Sequence, residues 1–191
     1  MNSVLIGAGL FKMNLGDGRL PINIDVNRNL HDQLHPRDFS TAAMTGYYLA
    51  LWEYDAPIIA QGKFAALSAR PSRRAEIITL LETNSITEFD EVQEAALGRA
   101  EFVGHGPIAE SGARTVTVAA TISRISRIDI DPTWAASTTP YYISHDIIEC
   151  VDQIRRKRPH FHEGGSWAHR SDDELENELR EYQNYLTRNS R

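Results

Sequence analysis

Apolar and polar residues alternate in two parts of the chain, and this alternation predicts β-strands there. Near the N-terminus, residues 3–12 and 20–26 are predicted to form two strands joined by the tight turn Gly16-Asp17-Gly18. Residues 114–130 are rich in β-branched side chains, and their alternation slips near residues 123–127. We therefore expect a hairpin in the first part, and a β-segment with a bulge or a bend in the second.

Other segments carry apolar residues at the spacing of a helix. The predicted helices cover residues 39–54, 72–83, 87–98, 144–158 and 171–188, and short strands are predicted over residues 58–67 and 101–104. Residues 131–140 are rich in Ser, Thr and Pro and are predicted to form a loop. No internal repeat is evident, and strands and helices do not alternate regularly. The pattern therefore predicts an α+β fold: a single domain with a mainly antiparallel sheet, flanking helices and a C-terminal helix.

The C-terminal helix combines a clear N-terminal cap with a narrow apolar stripe. Ser171 and Glu174 fit a capping box, in which each side chain bonds to the backbone N–H of the other. The stripe is spaced four, three and four residues apart and consists of Leu175, Leu179, Tyr182 and Leu186. An isolated helix of this length is marginal in water, so the stripe needs a partner surface, either on its own domain or on another subunit.

This helix and the polar segment before it suggest a division of the chain. We predict an α+β core domain over residues 1–158, followed over residues 159–191 by a polar, histidine-rich loop and the C-terminal helix.

Charge and cysteine content narrow the classes of function. The chain has 20 basic and 26 acidic residues and a net charge of −6, which disfavours broad binding to nucleic acid. The single cysteine, Cys150, cannot form an internal disulfide. No apolar run is long enough for a transmembrane helix, and no secretory signal is recognisable. These features predict a soluble, cytoplasmic protein with no membrane contact.

The most suggestive chemistry lies in the histidine-rich loop. In an extended chain His160 and His162 point the same way, and His169 could join them if the Gly164-Gly165 turn folds the chain back. Three imidazoles and a water form a catalytic zinc site. The alternative function is therefore a metal-dependent hydrolase, such as a phosphodiesterase or nuclease, with a divalent metal such as zinc as its cofactor. Against it stands the adjacent cationic run Arg155–Arg158.

Two groups of arginines could also contact a partner. The run Arg155–Arg158 lies in the last turn of a predicted helix, where cations complement free carbonyls, and it could also form a local basic patch for phosphate or RNA. Arg70, Arg73 and Arg74 flank a helix N-terminus, where cations oppose the helix dipole, and this placement suggests recognition of an anion or a partner.

The leading hypothesis is a non-enzymatic interaction or assembly protein that forms oligomers and requires no cofactor. Its partner would be a second copy of the chain or another protein. The predicted contact residues are Leu175, Leu179, Tyr182 and Leu186 on the C-terminal helix, with Arg70, Arg73 and Arg74 as a further surface.

Overall fold

The computed structural model describes residues 5–189, which form two small antiparallel sheets surrounded by helices. The first sheet is a hairpin of β1 (Phe11–Leu15) and β2 (Pro21–Val26). The second has the strand order β3-β4-β5 and consists of β3 (Phe102–His105), β4 (Val116–Ala120) and β5 (Ile125–Ile130). The predicted N-terminal hairpin is present, although its first strand covers Phe11–Leu15 rather than residues 3–12, and the β-rich segment 114–130 is divided into β4 and β5. The predicted α+β class with antiparallel pairing is confirmed.

The helices within the described residues differ from the predicted ones mainly at their ends. They are α1 (Leu30–Gln33), α2 (Phe39–Ala60), α3 (Arg73–Leu81), α4 (Ile86–Ala96), α5 (Pro132–Ser137), α6 (Pro140–Lys157) and α7 (Asp172–Asn189). The strand predicted over residues 58–67 is wrong, because α2 continues through Pro57 to Ala60 and residues 64–68 form a 3-10 turn.

Short polar side chains begin several of these helices. At the start of α3 Ser72 accepts a hydrogen bond from the Ala75 N–H, and at the start of α4 Ser85 accepts one from the Glu88 N–H. The predicted loop over residues 131–140 contains α5, because the Asp131 side chain accepts hydrogen bonds from the next turn and thereby caps a short helix.

The same arrangement of elements occurs twice in the chain. The hairpin β1-β2 is followed by the short helix α1 and the long helix α2, and the hairpin β4-β5 is followed by α5 and α6. β5 starts and ends 104 residues after β2 does. Each hairpin also has an irregularity in the same place, between Asn14 and Leu15 in the first and between Ala119 and Ala120 in the second. The prediction from the sequence that the chain contains no internal repeat is therefore wrong.

The two repeats pack on each other reciprocally. α2 contacts β1 of its own repeat and β5 of the other, and α6 likewise contacts β4 and β2. His31 Nε2 lies 2.7 Å from the carbonyl oxygen of Ala135, the residue 104 positions later. Contact between equivalent residues is what an approximate twofold axis produces, so the repeats are arranged like two subunits of a symmetric dimer.

Two hydrophobic clusters hold the fold together. The larger contains side chains from both hairpins and from α2 and α6. The smaller lies between α3, α4 and α7, so residues 159–191 contribute to a core that they share with α3 and α4. The division of the chain at residue 158 stays a prediction.

Cys150 lies in the larger cluster and should be unreactive in the folded protein. Its side chain is fully buried on α6, and burial, followed by the charge of Asp146, raises its thiol pKa to about 12. The thiolate is the nucleophile in reactions of cysteine, and here neither access nor ionisation favours it. We expect no reaction with Ellman's reagent under native conditions and one thiol per chain in guanidinium. Rapid reaction of the native protein would contradict this placement.

Candidate interaction surfaces

The predicted stripe on α7 exists and is covered by its own chain. Leu175, Leu179 and Leu186 are buried, and Tyr182 is half-buried. They pack on Ile77, Ile78, Leu80 and Leu81 of α3 and on Phe89 and Val92 of α4. The Tyr182 hydroxyl donates a hydrogen bond to the carbonyl of Thr83. The stripe therefore has the first of its two predicted partners, its own domain.

Two of the three predicted contact arginines attach α7 to α3. Arg73 forms a two-pronged ion pair with Glu176, with N–O distances of 2.8 and 3.0 Å, and this hydrogen bonding lowers the pKa of Glu176. Arg74 lies 2.5 Å from Asp172 and donates to backbone carbonyls before α7. The α7 carboxylates Asp172 and Glu176 thus offset the unfavourable position of these cations at the start of α3. Arg70 is exposed.

The predicted metal ligands are only partly brought together. The rings of His160 and His162 lie side by side, with centroids 6.0 Å apart. His162 Nε2 is 2.9 Å from Glu82 Oε2, and His169 is exposed in the turn before α7. Within residues 5–189, no three His, Cys, Asp or Glu side chains are grouped so that they could hold a metal ion.

Three cations of the run Arg155–Arg158 hold α6 against the two sheets and their turns. Arg155 donates to the carbonyl of Pro21, and Lys157 donates to that of Val103 at 2.5 Å. Arg158 donates to the carbonyls of Gly18 and Thr121, and its burial lowers its pKa to about 10. These contacts give the run a structural role at the end of α6.

α2 carries an uncharged, exposed face that was not among the predicted contact surfaces. The inner side of this helix is buried in the larger cluster. The opposite side, called here the outer face, is spaced four, three, four, four and three residues apart and consists of Thr41, Thr45, Tyr48, Trp52, Ala56 and Ile59. Tyr48 is 52% exposed and Trp52 is 67% exposed. A helix that is apolar on all sides is normally buried on all sides, but this face has no partner among the residues that the structure describes.

The second repeat shows how unusual this face is. At the positions of α6 equivalent to Thr45, Tyr48 and Trp52, 104 residues later, the chain has Glu149, Asp152 and Arg156. The outward face of a helix in this arrangement is therefore compatible with ordinary charged residues, and α2 does not have them. The signal was present in the sequence, because residues 39–60 contain only two charged residues, Glu53 and Asp55.

A groove of about 620 Å³ lies between β2 and the N-terminal half of α6. Its strand wall runs from Ile22 to Val26, and Arg28 lies at one end. Its helix wall is formed by Tyr141, Ser144, His145 and Ile148, which recur at the three- and four-residue spacing of one helix face. We call this feature the β2–α6 groove.

A second cavity, of about 540 Å³, lies on the other side of the start of α6. Asp146 lines it, is buried, and accepts a hydrogen bond of 2.6 Å from the Thr115 hydroxyl. The other Asp146 oxygen lies 3.5 Å from His145 Nδ1. This carboxylate is therefore satisfied by its own neighbours.

No helix in the part of the chain that the structure describes is both long and apolar enough to cross a membrane. Comparisons with protein-family models, with curated proteins and with solved structures find no match to this chain.

Proposed function

We propose that this protein is a non-enzymatic assembly protein that associates with a second copy of itself through the outer face of α2. The observation that carries this proposal is the exposed pair Tyr48 and Trp52 on a face without charges. Tyrosine and tryptophan are enriched at protein interfaces and contribute most to binding there. The α7 stripe, which the sequence suggested for this contact, is already occupied by α3 and α4.

The distribution of charge favours a second copy as the partner. A strongly charged partner would find no counter-charge on the outer face, whereas another uncharged face would lose no charge hydration on contact. Most homo-oligomers are symmetric, and a twofold contact joins the same patch on both subunits. A twofold axis midway between Tyr48 and Trp52 would cross two antiparallel copies of α2. Each Tyr48 would then lie against Trp52 of the second copy.

Measurement of mass as a function of protein concentration tests this proposal. The wild type should change from a 21.5 kDa monomer to a dimer as concentration rises in analytical ultracentrifugation. Trp52→Glu would place a carboxylate in the contact and should weaken dimerisation about 30-fold or more, as expected for the loss of a dominant contact residue. The matched control is Tyr185→Glu, since Tyr185 is a similarly exposed aromatic residue on α7, at 60%.

Two outcomes would contradict the proposal. One is a wild type that remains monomeric at every concentration. The other is equal dimerisation of the wild type and Trp52→Glu, because the contact would then lie elsewhere. Circular dichroism of both variants separates loss of assembly from loss of folding.

A further inference from the structure

The outer edge of β2 presents backbone groups to the β2–α6 groove. The N–H of Asn27 bonds to the carbonyl of Leu10 at 2.9 Å, so the neighbouring pair Phe11 and Val26 is a non-hydrogen-bonded pair of the ladder. The N–H and C=O groups of Val26, and of Ile24 two residues before it, therefore point away from β1. The side chains of Ile24 and Val26 are buried in the core, while both residues also line the groove.

The second repeat closes the equivalent edge with its own helix. Ile130, the counterpart of Val26, donates its N–H to the hydroxyl of Ser40 on α2 at 2.9 Å. The counterpart of Ser40 is Ser144, which lines the groove but donates instead to the carbonyl of Tyr141 in its own helix, at 2.8 Å. The two equivalent serines therefore act differently: Ser40 bonds to the outer edge of β5, whereas Ser144 does not bond to the outer edge of β2. No described residue outside the β1–β2 ladder bonds to the backbone of Ile24 or Val26.

The groove has the geometry that an extended polypeptide needs. A free strand edge offers alternating donors and acceptors to an added strand, and a facing helix supplies contacts for every second side chain. Here Tyr141, His145 and Ile148 provide that helix wall. Arg155 already bonds to the Pro21 carbonyl, so an added strand would be limited to the part of β2 beyond that residue.

The charges at the Val26 end favour an acidic group on the peptide. Arg28 lies there, and within residues 5–189 it forms no ion pair and no side-chain hydrogen bond. His145 lines the same groove on the α6 side. Among the described residues that line the groove, Asp25 is the only acidic one, and its exposed side chain alternates to the opposite face of β2 from Ile24 and Val26.

We propose that the β2–α6 groove binds an extended peptide segment of another protein, which adds a third strand beside β2 and places an acidic side chain against Arg28. This site is separate from the outer face of α2 and does not depend on self-association.

Selection of a phage-displayed random peptide library on the full chain tests the site. The selected peptides should alternate apolar and polar residues and carry a conserved Asp or Glu. Ser144→Arg fills the groove and should weaken binding of a selected peptide by about tenfold or more. The matched control is Ser166→Arg, in an exposed loop outside the groove, which should leave binding unchanged. Failure to select any peptide, or equal binding to both variants, would overturn the proposal.

Charge reversal and hydrogen exchange test the mode of binding. Selection on Arg28→Glu should return peptides with Lys or Arg in place of the acidic residue, and an unchanged consensus would contradict the assigned end of the groove. In the free wild type the amide of Val26 should exchange faster than that of Ile130, which Ser40 protects. A selected peptide should slow exchange at Val26 alone of this pair. Unchanged exchange at Val26 would rule out strand addition.

Discussion

Gly46→Ala should destabilise the protein by about 1–3 kcal/mol, although alanine is the better helix former. A β-carbon at Gly46 would lie 2.3 Å from the carbonyl oxygen of Phe11 and 2.8 Å from the Phe11 Cβ. Both atoms belong to β1 in the larger core, so neither can rotate out of the way. The added methyl group must push α2 away from β1, and this cost exceeds the gain of about 1 kcal/mol that alanine normally brings to a helix.

Urea unfolding measures this effect against a matched Gly→Ala variant. At Gly164 a β-carbon would meet, within residues 5–189, only His162 Nδ1, at 3.9 Å, and the backbone has no positive φ there. Gly164→Ala should therefore be neutral or slightly stabilising, because it restricts the unfolded chain. If Gly46→Ala were more stable than the wild type, α2 could not contact β1 as closely as the structure shows.

The two repeats differ in how closely the long helix approaches the first strand of its own hairpin. Cys150 is the counterpart of Gly46, and its Sγ lies 3.8 Å from the carbonyl oxygen of Val116, the counterpart of Phe11. α6 therefore stands farther from β4 than α2 stands from β1. The close approach in the second repeat occurs instead at β3, where a β-carbon on Gly104 would lie 2.0 Å from the Cys150 carbonyl oxygen. The extra strand explains why glycine is needed at another position there.

Local signals made much of the fold predictable. The capping box is an example, since the Glu174 N–H lies 3.3 Å from the Ser171 hydroxyl and the Ser171 N–H lies 2.8 Å from the Glu174 carboxylate. Alternation likewise located β2 and the β-rich segment 114–130, which the structure divides into β4 and β5. The strand predicted over residues 58–67 is absent because α2 continues beyond Tyr54, through Pro57, and ends only at Ala60.

The repeat is difficult to detect in the sequence because its two copies share the pattern of apolar and polar positions more than they share identical residues. A few positions are the same, such as Ser40 and Ser144, and most buried positions stay apolar, as with Val26 and Ile130, although buried Ala42 corresponds to buried Asp146. Surface and neighbouring positions have diverged, so direct comparison of the two segments shows little. Equal strand pairing with an irregularity at the same place reveals the relation only in three dimensions.

The outer face of α2 was missed for a related reason. The stripe on α7 is conspicuous because the rest of that helix is charged, but such a pattern is what any helix needs to pack on its own domain. α2 carries apolar residues on opposite sides, which hides its periodicity. Trp52 and Tyr48 can be recognised as candidate contact residues only when the structure shows which side of α2 the core already covers.

Tyr47→Phe should lower the free energy of unfolding by about 1–3 kcal/mol, because its hydroxyl joins the two repeats inside the core. The Tyr47 hydroxyl accepts a hydrogen bond of 2.9 Å from the Ile125 N–H and donates one of 3.1 Å to the carbonyl of Arg19. Ile125 is fully buried, so phenylalanine would leave its N–H without a partner. The control is Tyr185→Phe, at a residue that is 60% exposed, which should change stability by no more than about 0.5 kcal/mol.

The difference in unfolding free energy between the wild type and Tyr47→Phe should also depend on pH, because the Tyr47 hydroxyl is buried. Burial raises the pKa of Tyr47 above its ordinary value of 10.0, so the folded state holds the phenol proton more tightly than the unfolded state does. The stabilisation from this proton is complete below pH 10.0 and declines as the pH rises above it. The stability difference between the wild type and Tyr47→Phe should therefore narrow in alkaline solution. A difference that stays constant there would mean that the phenol titrates as freely in the folded protein as in the unfolded chain, which is incompatible with a hydroxyl that links the first hairpin to β5.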